Sequence, residues 1–234
     1  MIIPEYKAVY VHVPKAAGQS IENFLLKSLG KSRGPQGKPY LLRPNDDPSK
    51  GPKRLAHLLA SDYTKYGYLT EEQYEHWFTF SVIRNPWSRM VSFYKFRGFS
   101  PIMTFPTFVK HYLPWFYKNE FWFFRPQSDF IYDNNDNLLV DFLGRMEQLD
   151  DDFAVIANKL DIPFKRLPKS NTSELKGVIS RKTAYVLRKH PSVLFHLSLN
   201  NEIPRDYKEL YTPEALAIVN DLYARDIELL GYSY

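Results

Sequence analysis

No cysteine occurs among the 234 residues, which excludes a disulfide framework, a thiolate zinc site, an iron–sulfur cluster and a cysteine nucleophile. The six histidines (His12, His57, His76, His111, His190 and His196) contain no HxxxH or comparable ligand pair, so no dedicated metal site is expected. Neither GxxxxGK(S/T) nor GxGxxG is present; Gly37-Lys38 comes nearest to the first and is followed by Pro39. Ordinary ATP-kinase and dinucleotide sites thereby lose their motif. Long hydrophobic runs are missing too. Nothing approaches about 18 consecutive apolar residues, and Glu5 and Lys7 interrupt the stretch MIIPEYKAVYVHVPK. A soluble, cytoplasmic protein without a transmembrane segment is expected, and in that setting the sequon Asn171-Thr172-Ser173 reads as an ordinary turn.

What is present is enough apolar material, 44% of the residues, to bury the core of one domain or at most two. Lys and Arg exceed Asp and Glu by 31 to 26, and the excess is clustered. Residues 27–54 carry eight basic side chains (Lys27, Lys31, Arg33, Lys38, Arg43, Lys50, Lys53, Arg54) against Asp46 and Asp47. Residues 165–189 carry eight more (Lys165, Arg166, Lys169, Lys176, Arg181, Lys182, Arg188, Lys189) against Glu174. Two such segments facing one cleft would attract an anion; solvated loop lysines are the plainer alternative.

The β-branched and aromatic run Lys7–Val13 reads as a buried strand. It enters Pro14-Lys15-Ala16-Ala17-Gly18-Gln19-Ser20, after which apolar residues at 21, 24, 25 and 29 have helical spacing closed by Gly30. Residues 31–54 hold five prolines and three glycines and are expected to form a mobile basic loop, a lid or an acceptor-binding element. A capping box, Thr70-Glu71-Glu72-Gln73, opens a short helix before a second strand, Trp77–Ile83. That strand ends at Arg84-Asn85-Pro86-Trp87, and Ser88 is expected to cap the next helix. Residues 94–132 contain 15 of the 38 aromatics, a density that marks a core or a homodimer surface more often than a ligand platform. Further elements are expected at Leu138–Leu143, Phe153–Leu160 and Pro213–Leu230. The alternation argues for an α/β fold, a parallel sheet flanked by helices, with ligands beyond the carboxyl ends of the strands.

Two loops carry the candidate chemistry. Around Gly18–Ile21, helix-start amides, a close-approach glycine and the Ser20 hydroxyl make a phosphate cradle, and Lys15 adds a cation at its mouth. In the second loop, Arg84 can fork onto a phosphate while Ser92, about two turns into the helix, donates from the same side. A strand-end salt bridge for Arg84 and a surface position for Ser92 are the alternatives.

VHVPKAAGQSI and SVIRNPWSRMVSFY resemble the two nucleotide-binding motifs of sulfotransferases that use 3'-phosphoadenosine 5'-phosphosulfate (PAPS), in particular the carbohydrate-type family with the heparan sulfate 2-O and chondroitin enzymes and their bacterial relatives. The similarity continues through PQSDFIYD (126–133), LLVDFLGRMEQLDDDF (138–153), LPKSNTS (167–173) and YTPEALAIVNDLYARDIELLGY (211–232). It implies one P-loop-like sulfotransferase domain over residues 1–234. It also implies that Lys15, Ala16, Ala17, Gly18, Gln19 and Ser20 hold the 5'-phosphosulfate, with Lys15 stabilising the departing phosphate, and that Arg84 and Ser92 hold the 3'-phosphate. Ala17, often glycine in the family, and Gln19, often threonine or serine, depart from the pattern.

Sulfuryl transfer needs an in-line acceptor oxygen, charge stabilisation on the leaving group and a base. His57 lies between the motifs, where related enzymes place a catalytic histidine, and is the candidate base; a structural histidine is the alternative. His12 is expected to pack in the core, His76 to face a neighbouring element, and Glu22 is a reserve base. The expected reaction moves a sulfuryl group from PAPS to a hydroxyl of a saccharide or glycoconjugate, whose rings can stack on the aromatic region, with no metal and no nucleic-acid partner. The alternatives are a nucleotide kinase-like phosphotransferase and a non-catalytic polyanion-binding module.

Overall fold

In a computed structural model, described over residues 1–167, 180–199 and 201–234, the chain falls into two units: residues 1–84 with 125–171, and residues 85–124 with 172–234. The sequon at Asn171, the segment after Leu167 in LPKSNTS, and Lys169, Glu174 and Lys176 of the second basic cluster lie outside the described residues.

The first unit is built on a four-stranded sheet in the order β1 (Ile2–Ile3), β2 (Ala8–Val11), β3 (Phe78–Ile83), β4 (Phe142–Arg145). β1 is antiparallel to β2, and the pairs β2–β3 and β3–β4 are parallel, with Val11 opposite Ser81 and Ile83 opposite Arg145. All four residues of β2 are buried, as an apolar strand covered on both faces should be. The helix Gly18–Ser28 turns Ile21 and Leu25 into this core. Its Phe24 meets Phe153 of the helix Leu149–Lys159 edge-on, with ring centroids 5.2 Å apart. The first helix stops where Gly30 takes φ +67 and the Lys31 amide reaches back to the carbonyl of Leu26 at 2.8 Å, the hydrogen-bond pattern of a glycine-terminated helix. The expected capping box is present in full, Thr70 accepting from the Gln73 amide and the Gln73 side chain from Thr70. His76 is exposed and its Nδ1 donates to the carbonyl of Glu72, so it does not face a neighbouring element.

Residues 31–54 follow 3-10 turns at Pro35–Tyr40 and Pro48–Lys50. Lys31 bonds Glu5 and Tyr40, while Arg33 bonds Glu22 and Asn23. Glu5 and Glu22, both outside the segment, thus add acid to that of Asp46 and Asp47 within it.

The second unit is helical. Its first helix is Pro86–Arg97, whose N-cap is Asn85 rather than Ser88: the Asn85 side chain accepts from the Ser88 amide at 3.0 Å, and Pro86 takes the first helical position, where a missing N–H costs nothing. Phe93, Phe99, Phe108, Phe116 and Phe124 are buried together, with Phe93 and Phe124 stacked at 4.4 Å. Arg97 lies over the rings of Phe116, Phe123 and Phe124 and pairs with Glu120. The aromatic region is therefore core. Of its 15 aromatic residues only Trp115 and Phe121 are exposed, which removes it as a broad sugar-stacking platform. No helix among the described residues is long and apolar enough to cross a membrane.

Candidate functional site

Because β2 and β3 are adjacent and parallel, the segments after Val11 and after Ile83 leave the sheet at the same end. This is where open parallel sheets bind ligands. After β2 the backbone is forced into an unusual path: Lys15 and Ala17 both take positive φ, +70 and +59. Left-handed residues in a loop can turn backbone amides to one side, a concavity suited to an anion, and backbone strain of this kind clusters at functional sites. Ala17 is also the N-cap of the helix Gly18–Ser28, with no side-chain cap and no acidic residue in the first turn. The helix start is thus electropositive. Lys15, Ala17 and Ser20 are half-buried, Ala16 and Gly18 buried, and Gln19 exposed.

Arg84 stands at the end of β3. Gln127, fully buried, brackets its backbone: the Arg84 amide donates to Gln127 Oε1 at 2.9 Å and Gln127 Nε2 donates to the Arg84 carbonyl at 2.7 Å. From that anchor Nη1 of Arg84 reaches the carbonyl oxygen of Lys15 at 3.4 Å. Lys15 and Arg84, read from stretches 69 residues apart, meet. Ser92 is a half-buried residue of the helix Pro86–Arg97 in the other unit.

Beneath the loop lies a buried cluster that sequence reading found only in pieces. Glu22 is 1% exposed; its Oε1 accepts from His12 Nδ1 at 2.5 Å and its Oε2 is bonded by Arg33. Burial pushes this carboxyl up, but His12 and then Arg33 outweigh it and hold its pKa down at about 2. Glu22 is therefore a charged, doubly paired group. His12 Nε2 faces Gly18 so closely that a β-carbon there would lie 1.8 Å from it. His57 is buried against His12, ring centroids 4.4 Å apart, and its Nδ1 donates to the His12 carbonyl at 3.1 Å. Burial first, and the neighbouring His12 second, lower its pKa to about 3, while the hydrogen bond and Glu22 oppose them. With Nδ1 carrying the proton, the lone pair of the neutral ring is on Nε2.

Gln127, Arg33 and the His12–Glu22 pairing were not assigned from sequence. PQSDFIYD marked the neighbourhood of Gln127, whereas no periodicity reveals that residues 12 and 22 meet. Among the described residues no group of three or more His, Cys, Asp or Glu side chains is arranged to hold a metal ion.

Comparison with known proteins gives one result at the level of family. No curated protein and no solved structure matches significantly. The model of the sulfotransferase family matches residues 1–233, which embraces both loops and the strands that carry them. A match over essentially the whole length shows that the chain belongs to the sulfotransferase family, whose chemistry is sulfuryl transfer.

Proposed function

We propose that this protein transfers the sulfuryl group of 3'-phosphoadenosine 5'-phosphosulfate to a hydroxyl of a carbohydrate or glycoconjugate in the cytoplasm. The observation that carries this reading is the approach of the Arg84 guanidinium to the backbone of Lys15, in the strained loop that leads into a helix start with no side-chain cap. The loop from Lys15 to Ser20 receives the 5'-phosphosulfate on backbone amides and the Ser20 hydroxyl. Arg84 receives the 3'-phosphate. The acceptor oxygen attacks sulfur in line, and the bond from sulfur to the bridging oxygen breaks. The electron pair stays on the 5'-phosphate, where Lys15 takes up the developing charge. The acceptor proton passes to Nε2 of His57, whose Nδ1 is already committed to the His12 carbonyl.

The test is differential stabilisation. The product nucleotide, 3'-phosphoadenosine 5'-phosphate, should raise the melting temperature by mass action, and adenosine 5'-phosphate should raise it much less. Arg84→Ala should remove the difference. Equal shifts from the two nucleotides in the wild type would refute the role of Arg84. A panel of oligosaccharide acceptors with radiolabelled donor then reads the acceptor class.

A further inference from the structure

The buried carboxylate beneath the loop is costly: a charge this enclosed is retained only with partners, and Glu22 has one on each oxygen. His12 gives the arrangement a direction. Its Nδ1 is fixed by Glu22, its Nε2 side lies against Gly18, and the ring of His57 packs against it at 4.4 Å while also bonding the His12 carbonyl. Tyr10 closes another side of His12, stacked at 5.6 Å. A ring held on this many sides cannot turn unless Glu22 lets go.

We propose that Glu22 and His12 are positioning residues for the transfer step, the carboxylate locking the His12 imidazole as the seat of His57 and supplying the negative charge that sustains the basicity of His57. This inference rests on the sulfuryl-transfer reading above. Burial, His12 and Arg54 disfavour protonation of His57, while its hydrogen bond to the His12 carbonyl and then Glu22 favour it. Those around Glu22 are His12, Arg33, the amino group of Met1, Tyr10 and Tyr63. Glu22 is thus the acidic member of the cluster working in the direction a general base requires.

Glu22→Gln keeps an acceptor oxygen for His12 Nδ1 and removes the charge; Glu22→Asp keeps the charge and shortens the reach. Three measurements decide. Calorimetry with 3'-phosphoadenosine 5'-phosphate should find Glu22→Gln binding about as tightly as wild type. Transfer of radiolabelled sulfate to a mixed oligosaccharide pool should show kcat lower by roughly tenfold, part of the larger factor a positioned base supplies. The titration of His57 followed by NMR should move to lower pH in Glu22→Gln and return toward the wild-type midpoint in Glu22→Asp.

An unmoved His57 midpoint in Glu22→Gln overturns the proposal, as does an unchanged kcat. Should Glu22→Gln fail to fold, histidine-selective nitrogen spectra of the wild type decide instead: His12 and His57 must each carry the proton on Nδ1, and a proton on Nε2 alone of His12 overturns the lock. Failure of the wild type to bind the nucleotide, with these spectra as expected, overturns the sulfuryl-transfer reading and not the lock.

Discussion

Nε2 of His12 occupies the space into which a β-carbon on Gly18 would project, 1.8 Å from it. Glycine at this position is set by the imbedded imidazole as much as by the approach of an anion from the other side. Gly18→Ala must displace the His12 ring and with it the Glu22 pairing, at a cost of about 1–3 kcal/mol for overpacking. Gly30→Ala is the matched control. It has open space but φ +67, so its cost is backbone strain alone, about 1–2 kcal/mol. Urea unfolding should show both losses. Calorimetry with 3'-phosphoadenosine 5'-phosphate should show nucleotide binding lost in Gly18→Ala and kept in Gly30→Ala; equal binding in the two variants would show that the imidazole yields freely.

Ala17 presents the opposite case, a side chain where none is favoured. At φ +59 it bears a left-handed strain of about 1–2 kcal/mol, against which glycine would lose roughly 0.5–1 kcal/mol of chain entropy. Ala17→Gly should therefore raise the free energy of unfolding by about 0.5–1 kcal/mol, and Ala17→Val should lower it, since a β-branched residue tolerates this region least. Chemical denaturation of the pair checks both signs.

The strands β2 and β3, the capping box and the strand–loop–helix rhythm were legible because each is a local pattern: a β-branched run, a Thr-x-x-Gln spacing, an apolar period. β1 is only two residues long, and β4 lies at Phe142–Arg145, largely beyond the expected Leu138–Leu143. The start of the first helix was legible from the loop, whose helix-start amides fall around Gly18–Ile21, and not from the apolar period, which begins only at Ile21, the first residue that must face the core; the helix begins at Gly18. Ser88 offers the hydroxyl of a good cap, but Pro86 at the first helical position makes Asn85 the residue whose side chain accepts. The aromatic stretch was legible as a core and not as a sugar platform. The Glu22 cluster was illegible for a different reason: the left-handed turns at Lys15 and Ala17 fold the first helix back beside the end of β2, and no spacing rule encodes the contact that results.

Gln127 holds Arg84 by its backbone, one bond donated and one accepted. Gln127→Ala removes both from a partly buried segment, at about 1–3 kcal/mol, and frees the strand end that aims the guanidinium. Affinity for 3'-phosphoadenosine 5'-phosphate should fall by about tenfold, the equivalent of about 1.4 kcal/mol of lost positioning, while affinity for adenosine 5'-phosphate should change little. A uniform loss for both nucleotides would mean that Gln127 supports the loop as a whole rather than Arg84.

The buried histidine also sets how the protein responds to acid. His57 has its pKa lowered from the ordinary 6.5 to about 3, chiefly by burial, so its contribution is complete above pH 6.5, where folded and unfolded chains both hold it neutral. Between 6.5 and about 3 the unfolded chain binds a proton that the folded chain refuses, and stability falls as pH falls, by up to about 1.4 kcal/mol per unit. Glu22, lowered from 4.5 to about 2, adds its own loss only below 4.5, where the unfolded carboxylate protonates first. The window from 6.5 to 4.5 therefore isolates His57 from Glu22. His57→Gln should make the plot of unfolding free energy against pH less steep in that window, leaving the smaller slope that the buried Met1 amino group, His190 and His111, all lowered chiefly by burial, still contribute, and leave the steeper fall below 4.5 in place. Parallel curves for variant and wild type would show that His57 titrates in the folded protein as it does in water, and the enclosed neutral imidazole on which its role as a base depends would have to be abandoned.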